Sequence, residues 1–351
     1  TTTTTTTPSD ELDQLLQKKD IDAAISLFQQ SDSVSVFSAA KILSAVAEES
    51  SSSSDDSAGG PPMVSPVQEQ RLLACYQQIK EKVEFKSEEG LFGSVDMNSL
   101  KLPYKSGCSI EQLETLTQLP LSAFRPNPKF NRLFYLGGAA ACILEIAVAK
   151  IAGINPQPLF AATFASVLAD QVLGGAASEQ ILWKLNPQLA DRVLKHEAGH
   201  LLVAHLLGCP VQSVALGNYD ALTKQESSSA LVGAGTSFFD PQLNEASQKG
   251  EITRSVIDRY SIIVMAGIAA EALCFGEAEG GSDDENALAV FLSQTVQTSI
   301  NIPEQARWAA TNALLLLRDH KDAYERLVTV LKTDGSRDIG KIMMALEGCD
   351  I

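Results

Sequence analysis

The sequence has little positive charge, and this scarcity excludes one class of partner. Lysine and arginine number 27 against 43 aspartates and glutamates, which gives a net charge of −16. Because phosphate binding requires clustered basic side chains and none cluster strongly here, we expect no nucleic acid partner. The 351 residues also lack the GxxxxGK[ST] pattern that cradles nucleotide phosphates, so they contain no ATPase of that kind.

Cysteines are few, and their spacing excludes a metal site built on thiolates. The six cysteines are scattered, with no CxxC pair. This distribution favours free buried thiols in a reducing compartment. The chain begins with seven threonines and not with methionine. We therefore expect a processed form without its targeting segment, whose N-terminus does not indicate a compartment.

Histidine is scarce as well, yet two of the four histidines share one motif, His196-Glu197-Ala198-Gly199-His200. Positions i and i+4 lie on one face of an α-helix, so both imidazoles can bind one zinc ion. Glu197 then lies beside the ion as a catalytic base. His205 points away from this pair and is predicted to be packed or at the surface, not a ligand.

The residues around the motif predict one buried helix over 187–207. Asn186 and Pro187 are typical of a helix start, and Gly208 and Pro210 are typical of its end. The apolar residues after the motif continue the helical pattern.

Upstream, the spacing of apolar residues predicts helical regions and no site. We expect an N-terminal helical segment over 1–47, a Ser/Gly/Pro linker over 48–66 and a helix and loop region over 67–128. Within them, two short helices with a break at residues 20 and 21 precede helices over about 34–46, 66–82 and 110–116.

An apolar helical pair is predicted over 129–180, from runs at 133–152 and 159–177. Each run approaches the length of a bilayer span, so a membrane hairpin is one interpretation. Glu145, Lys150 and Asp170 interrupt the runs, and a charge near the bilayer centre is costly. A buried or membrane-surface helical pair is therefore the other interpretation, and both stay open.

Downstream, β-branched and apolar runs at 211–216 and 230–239 predict a small two-stranded element beside the motif helix. Such a strand edge is a natural place for the main chain of a peptide substrate, and a purely structural hairpin is the alternative. One or two amphipathic helices are expected over 303–331, with residues 314–317 in the core.

A third zinc ligand is expected from an acidic segment that follows a long helical run at 252–275. Small residues at 266–270 in this run let another helix approach closely. Catalytic zinc usually takes three protein ligands and keeps one position for water. Spacing alone leaves four candidates open, namely Glu271, Asp283, Asp284 and Glu285.

HEAGH, the segment AGIAAEALCFG at 266–276 and the segment GGSDD at 280–284 together resemble the zinc peptidase domain of FtsH-type membrane proteases. In that family the later segments read close to AGRAAEELIFG and TGASND, and the final aspartate completes the zinc site. The resemblance implies Zn²⁺ bound by His196, His200 and Asp284. It places Glu271 behind the ligands, where it orients a ligand or neighbouring backbone.

The stand-alone plastid members of this family, found in plants and algae, are more similar still. They share patterns similar to HEAGHFLVAYLLG, AEGGxDD and RW…LLLLRxH, which this chain matches at 196–208, 278–284 and 307–320. The resemblance covers roughly 185–320 and implies a chloroplast protein. The expected fold is mainly α, with a helical zinc-peptidase domain and a small β element over 181–351, preceded by helical N-terminal regions.

The implied function is a zinc-dependent metalloendopeptidase that hydrolyses unfolded or damaged proteins, with Glu197 accepting the proton of the attacking water. Ile268 and Ala272 replace an arginine and a glutamate of the family segment. These changes bear on the family's hexamer contacts and not on the zinc ligands. The alternatives are a non-catalytic zinc-stabilised scaffold or quality-control factor, and the peptidase partner of a separate ATPase. A homo-oligomer and membrane association are further expectations.

Overall fold

The computed structural model describes residues 8–30, 35–52, 66–82, 90–103, 107–127, 129–172, 176–217, 235–250, 252–295, 300–333 and 338–349. This part of the chain is mainly helical and contains one two-stranded antiparallel sheet. The expected fold class, mainly α with a small β element, is confirmed.

Four helices come first: α1 (Pro8–Gln17), α2 (Ile21–Gln30), α3 (Val36–Ser52) and α4 (Pro66–Lys82). Asp20 accepts a hydrogen bond from the backbone N–H of Ala23, so it caps α2 at the predicted break. Helix α3 extends to Ser52, into the stretch predicted as a linker. The remainder of that linker, 53–65, lies outside the described residues.

The loop-rich region and the apolar pair follow as α5 (Ile110–Thr117), α6 (Lys129–Ala152), α7 (Gln157–Val172) and α8 (Ala176–Leu185). Ser109 and Gln112 form a capping box that begins α5. Helices α6 and α7 are joined at Gly153, whose positive φ of 66° ends α6. No helix among the described residues is both long enough and apolar enough to cross a bilayer.

The motif helix α9 spans Pro187–Leu206, as predicted to within one residue. Its first turn is capped by the Asn186 side chain, which accepts a hydrogen bond from the backbone N–H of Gln188. The strands β1 (Val211–Ala215) and β2 (Gly235–Phe238) follow and pair antiparallel. Residues 230–234 of the second predicted strand lie outside the described residues.

The remaining helices are α10 (Pro241–Lys249), α11 (Arg254–Val264), α12 (Ala266–Phe275), α13 (Ser282–Gln294), α14 (Ile302–Asp319), α15 (Lys321–Thr333) and α16 (Ile339–Leu346). The prediction of one helical run at 252–275 is wrong, because the chain turns at Met265 between α11 and α12. Near the turn, the Ile263 carbonyl accepts a hydrogen bond from the His200 ring. A side chain bonded into the carbonyl ladder disturbs helical regularity.

One continuous cluster of buried apolar residues joins the N-terminal helices to the C-terminal ones. Helices α9 and α12 pack most closely within it. A Cβ on Gly199 would lie 2.6 Å from the Ala266 carbonyl oxygen, so the close approach requires glycine. The small residues at 266–270 therefore allow α9 to approach closely. Helix α9 carries the motif at 196–200, which has the form HExxH.

Candidate metal centre

Helix α9 presents Arg192, His196 and His200 on one face, at intervals of four residues. Both histidines are buried. Helix α12 covers them with Gly267, where an added Cβ would lie 2.2 Å from Nε2 of His196. The absence of a side chain at Gly267 thus makes room for the first imidazole.

Beside this face, the Nε2 atoms of both histidines of α9 meet a carboxylate oxygen of the distant helix α13. Nε2 of His196 lies 2.9 Å from Oδ2 of Asp284 and 3.1 Å from Nε2 of His200. Nε2 of His200 lies 3.5 Å from the same carboxylate oxygen. Asp284 reaches them from the first turn of α13, directly after Gly281, whose φ is 91°. The three residues form a group able to hold a metal ion.

Nδ1 of each imidazole, which faces away from the meeting point, donates a hydrogen bond to an oxygen acceptor. Nδ1 of His200 donates to the Ile263 carbonyl at 2.8 Å, and Nδ1 of His196 donates to Oε1 of Glu271 at 2.9 Å. A carbonyl only accepts, so the His200 proton lies on Nδ1 and the lone pair of Nε2 faces the meeting point. A proton or a metal ion would stabilise two nitrogens and a carboxylate oxygen at these distances, because all three atoms are electron-rich.

The donor set and spacing fit zinc. Catalytic zinc is commonly bound by imidazole nitrogens with one carboxylate oxygen. Bonds of about 2.0–2.1 Å in a tetrahedron place neighbouring ligand atoms about 3.3 Å apart. The separations of 2.9, 3.1 and 3.5 Å lie around that value. Acceptors bonded to the far nitrogens are typical of histidines that bind metals.

The pKa values of the group show how strongly it holds positive charge. Burial lowers the pKa of His196, but hydrogen bonds to Asp284 and Glu271 outweigh burial and raise this pKa to about 10. For His200, burial is likewise outweighed by the charge of Asp284, which raises the pKa. Burial raises the pKa of Asp284, yet the two histidines bring it well below its usual range. Without a metal the group retains a proton, which a metal ion would displace.

Glu271 lies behind His196 and joins it to the loop that carries Asp284. Its carboxylate accepts hydrogen bonds from the backbone N–H of Glu279 at 2.9 Å and of Gly280 at 3.1 Å. Nη1 of Arg192 lies 3.3 Å from Oε2. Burial raises the pKa of Glu271, but the hydrogen bond and charge of His196 and the two backbone N–H groups outweigh burial, so the pKa is lowered. An ionised Glu271 therefore orients both the first histidine and the loop.

Of the four carboxylates that spacing left open, the structure brings Asp284 to the ring nitrogens that face the cleft. Glu271 contacts the opposite nitrogen of His196. Asp283 and Glu285 are not part of the three-residue group. The three residues brought together are those that the family resemblance implied as ligands, and their role as zinc ligands stays a prediction.

Glu197 is buried beside the two histidines, and its negative charge contributes to raising the pKa of both. Its Oε2 atom accepts a hydrogen bond of 2.8 Å from the hydroxyl of Thr236 on β2. The strand thus holds the carboxylate that the sequence predicted as the base.

A cleft of about 520 Å³ opens onto this group. The three candidate ligands and Glu197 all line it, with Thr236 on the β2 side. Apolar side chains of α8 and α9 also line the cleft, among them Leu182, Trp183, Leu189 and Val193. The cleft therefore combines the polar group with an apolar lining.

No known protein family, no curated protein and no solved structure matches the chain. The chemistry of the site is therefore inferred from its own geometry and from the sequence motifs.

The sequence patterns did not identify two residues of the site. Arg192 had a signal, because it precedes His196 by four residues and so shares its helix face. Thr236 had none, since its contact with Glu197 joins residues 39 positions apart. His205 is packed, as predicted, but its partner was not foreseen: Nε2 lies 2.7 Å from Oε1 of Glu347.

Proposed function

We propose that the protein is a zinc-dependent metalloendopeptidase of FtsH type that hydrolyses peptide bonds of unfolded or damaged proteins. The observation that carries this proposal is the meeting of both Nε2 atoms of the HExxH motif with Oδ2 of Asp284. The resemblance of three sequence segments to that family supports it independently of the geometry.

The chain's own residues supply the acid–base chemistry of this reaction. His196, His200 and Asp284 would hold Zn²⁺, which when bound supplies a Lewis acid for attack by water on a peptide carbonyl. Glu197 accepts the proton of the attacking water and passes it to the leaving amine. The Thr236 hydroxyl, bonded to Oε2 of Glu197, keeps this carboxylate in one orientation.

The cleft suits an extended, unfolded substrate. Gly235, Thr236 and Phe238 of β2 line it, and an extended peptide can add to a strand by main-chain hydrogen bonds. Apolar side chains that also line the cleft, such as Trp183 and Val193, fit the apolar residues that unfolding exposes.

The test is the Glu197→Gln variant, measured with full zinc occupancy against a permanently unfolded substrate such as fluorescein-labelled casein. We expect the wild type to cleave it and the variant to lose roughly a hundredfold or more in rate, because a general base contributes about 10²–10⁴-fold. The variant should retain its zinc, since Glu197 is not a ligand. A zinc-loaded wild type that cleaves nothing and matches the variant would establish the scaffold alternative instead.

Delivery of substrate is a separate question, because the 351 residues carry no phosphate-cradling motif. If casein is cleaved only when a co-purifying ATPase and ATP are added, the protein is the peptidase partner of that ATPase. Cleavage by the purified chain alone supports the ATP-independent reaction. The chloroplast location rests on resemblance and is tested by imaging a fluorescent fusion of the protein in plant or algal cells.

A further inference from the structure

The helical hairpin α6–α7 exposes an unusual amount of apolar surface. Of the fifteen large apolar side chains that are exposed in the described part of the chain, nine lie between residues 143 and 168. Ile151 is 88% exposed and Phe164 is 66% exposed. A concentration of exposed apolar side chains of this kind is rare on soluble monomers and indicates an interaction site.

Among the described side chains of α6, the exposed apolar ones spread widely around the helix. The exposed members on this helix are Ile143, Leu144, Ile146, Val148 and Ile151. At about 100° per residue they point across roughly 200° of the helix circumference. A protein partner docked on one side would leave part of this surface in water. Apolar side chains over more than half of the circumference of a helix match an apolar medium better than a single flat partner.

The charged groups of the hairpin are placed consistently with that medium. Glu145, the only acidic residue between 138 and 169, accepts a hydrogen bond from the Thr163 hydroxyl of α7 and is partly buried. Lys150 is exposed, but it lies one turn from the end of α6, and a lysine stem can carry its ammonium to a polar surface. Asp170, near the C-terminal end of α7, accepts a hydrogen bond from the backbone N–H of Ser178.

We propose that the α6–α7 hairpin is a lipid-docking element that inserts its exposed apolar side chains among the acyl chains at one surface of a bilayer. The proposal is independent of the peptidase reaction and does not require the helices to cross the membrane. Because the chain carries a net charge of −16, the attraction is apolar and not electrostatic. Zwitterionic lipid, which has no net charge, should therefore be sufficient for binding, and salt should not weaken the association.

The test is flotation of the full chain with phosphatidylcholine vesicles, at low salt and in 1 M NaCl. We expect the wild type to bind in both. The double variant Ile151→Ser/Phe164→Ser should bind about a hundredfold more weakly, roughly tenfold for each buried side chain lost. The matched control Phe37→Ser/Ile110→Ser removes side chains that are 58% and 47% exposed elsewhere, and it should bind as the wild type does.

A depth measurement separates insertion from other associations. Tryptophan introduced as Phe164→Trp should be quenched by lipids brominated along their acyl chains, whereas Phe37→Trp should not. Unchanged circular dichroism shows that each variant is folded. The proposal is overturned if the wild type does not float, or if the hairpin variant floats equally well. It is also overturned if the hairpin variant only dissociates a dimer of this chain that forms without lipid.

Discussion

Nδ1 of His196 lies 2.9 Å from Oε1 of Glu271, a residue 75 positions later in the chain. The same carboxylate accepts the backbone N–H groups of Glu279 and Gly280, two residues of the loop that precedes Asp284. One buried side chain therefore orients a candidate ligand from α9 and also the approach of a candidate ligand from α13.

Glu271→Gln should weaken zinc binding by about 10–100-fold, the usual effect of losing a partner behind a metal-binding histidine. The amide keeps the size of the side chain but loses the charge that holds the His196 proton on Nδ1. Competition with a chromophoric chelator measures the affinity. Glu304→Gln, a change on α14 outside the site, is the control. Equal affinity for Glu271→Gln and wild type would show that Glu271 has only a structural role.

Asp284→Asn should reduce zinc content strongly, whereas the neighbouring Asp283→Asn should keep about one zinc per chain. Both aspartates line the cleft, but only Asp284 meets the histidine nitrogens. Comparison of the two variants therefore separates the loss of a zinc ligand from the general effect of removing a negative charge at a helix N-terminus. Elemental analysis of the purified variants measures the zinc content. Equal zinc loss in both variants would contradict a specific role for Asp284.

Gly267→Ala should displace the His196 ring and lower zinc affinity at least tenfold. The added Cβ would lie 2.2 Å from Nε2 of that ring, so the imidazole or α12 has to move. Gly138→Ala is the matched control, because nothing lies within 4 Å of its added Cβ. Chelator competition on both variants, with circular dichroism to confirm folding, decides the outcome. Zinc affinity that is unchanged in Gly267→Ala would contradict the close packing of α12 on the motif.

Glu347→Gln should destabilise the fold by about 3–5 kcal/mol at neutral pH, the typical cost of breaking a buried pair. Its carboxylate lies 2.7 Å from Nε2 of His205 and accepts the backbone N–H groups of Leu91 and Phe92. Burial raises the pKa of Glu347, but the hydrogen bond to His205 and the backbone donors outweigh it, so the folded pKa is lowered.

The sign of that shift determines the pH dependence of the Glu347→Gln effect. A lowered folded pKa contributes stability above the unfolded value of about 4.3, and this contribution is lost as the pH falls through the folded pKa. Urea unfolding should therefore separate wild type from variant at pH 7, and the difference should shrink below about pH 4. Glu245→Gln, which breaks the exposed pair with Lys249, should have no measurable effect at either pH. A constant difference across this range would contradict an ionised Glu347 carboxylate as the source of the stability.

Local patterns determined the motif helix, its cap and the small residues that receive it. The i, i+4 spacing of His196 and His200 needs only a helix to place both imidazoles on one face, and Asn186 with Pro187 begins that helix. The mainly α fold followed from apolar periodicity in the same way. These features depend on residues within a few turns of one another, so they can be read without the tertiary structure.

Tertiary packing alone decided which partners meet. Spacing could not choose among the carboxylates after α12, because the Asp284 carboxylate reaches the His196 ring across 88 positions of chain. The contact of Thr236 with Glu197 and the burial of Glu347 beside His205 depend equally on how distant elements pack. The break at Met265 was hidden in an apolar run, because its associated hydrogen bond comes from another helix. Long-range contacts of this kind leave no periodic signal in the sequence, since their geometry exists only once the core has formed.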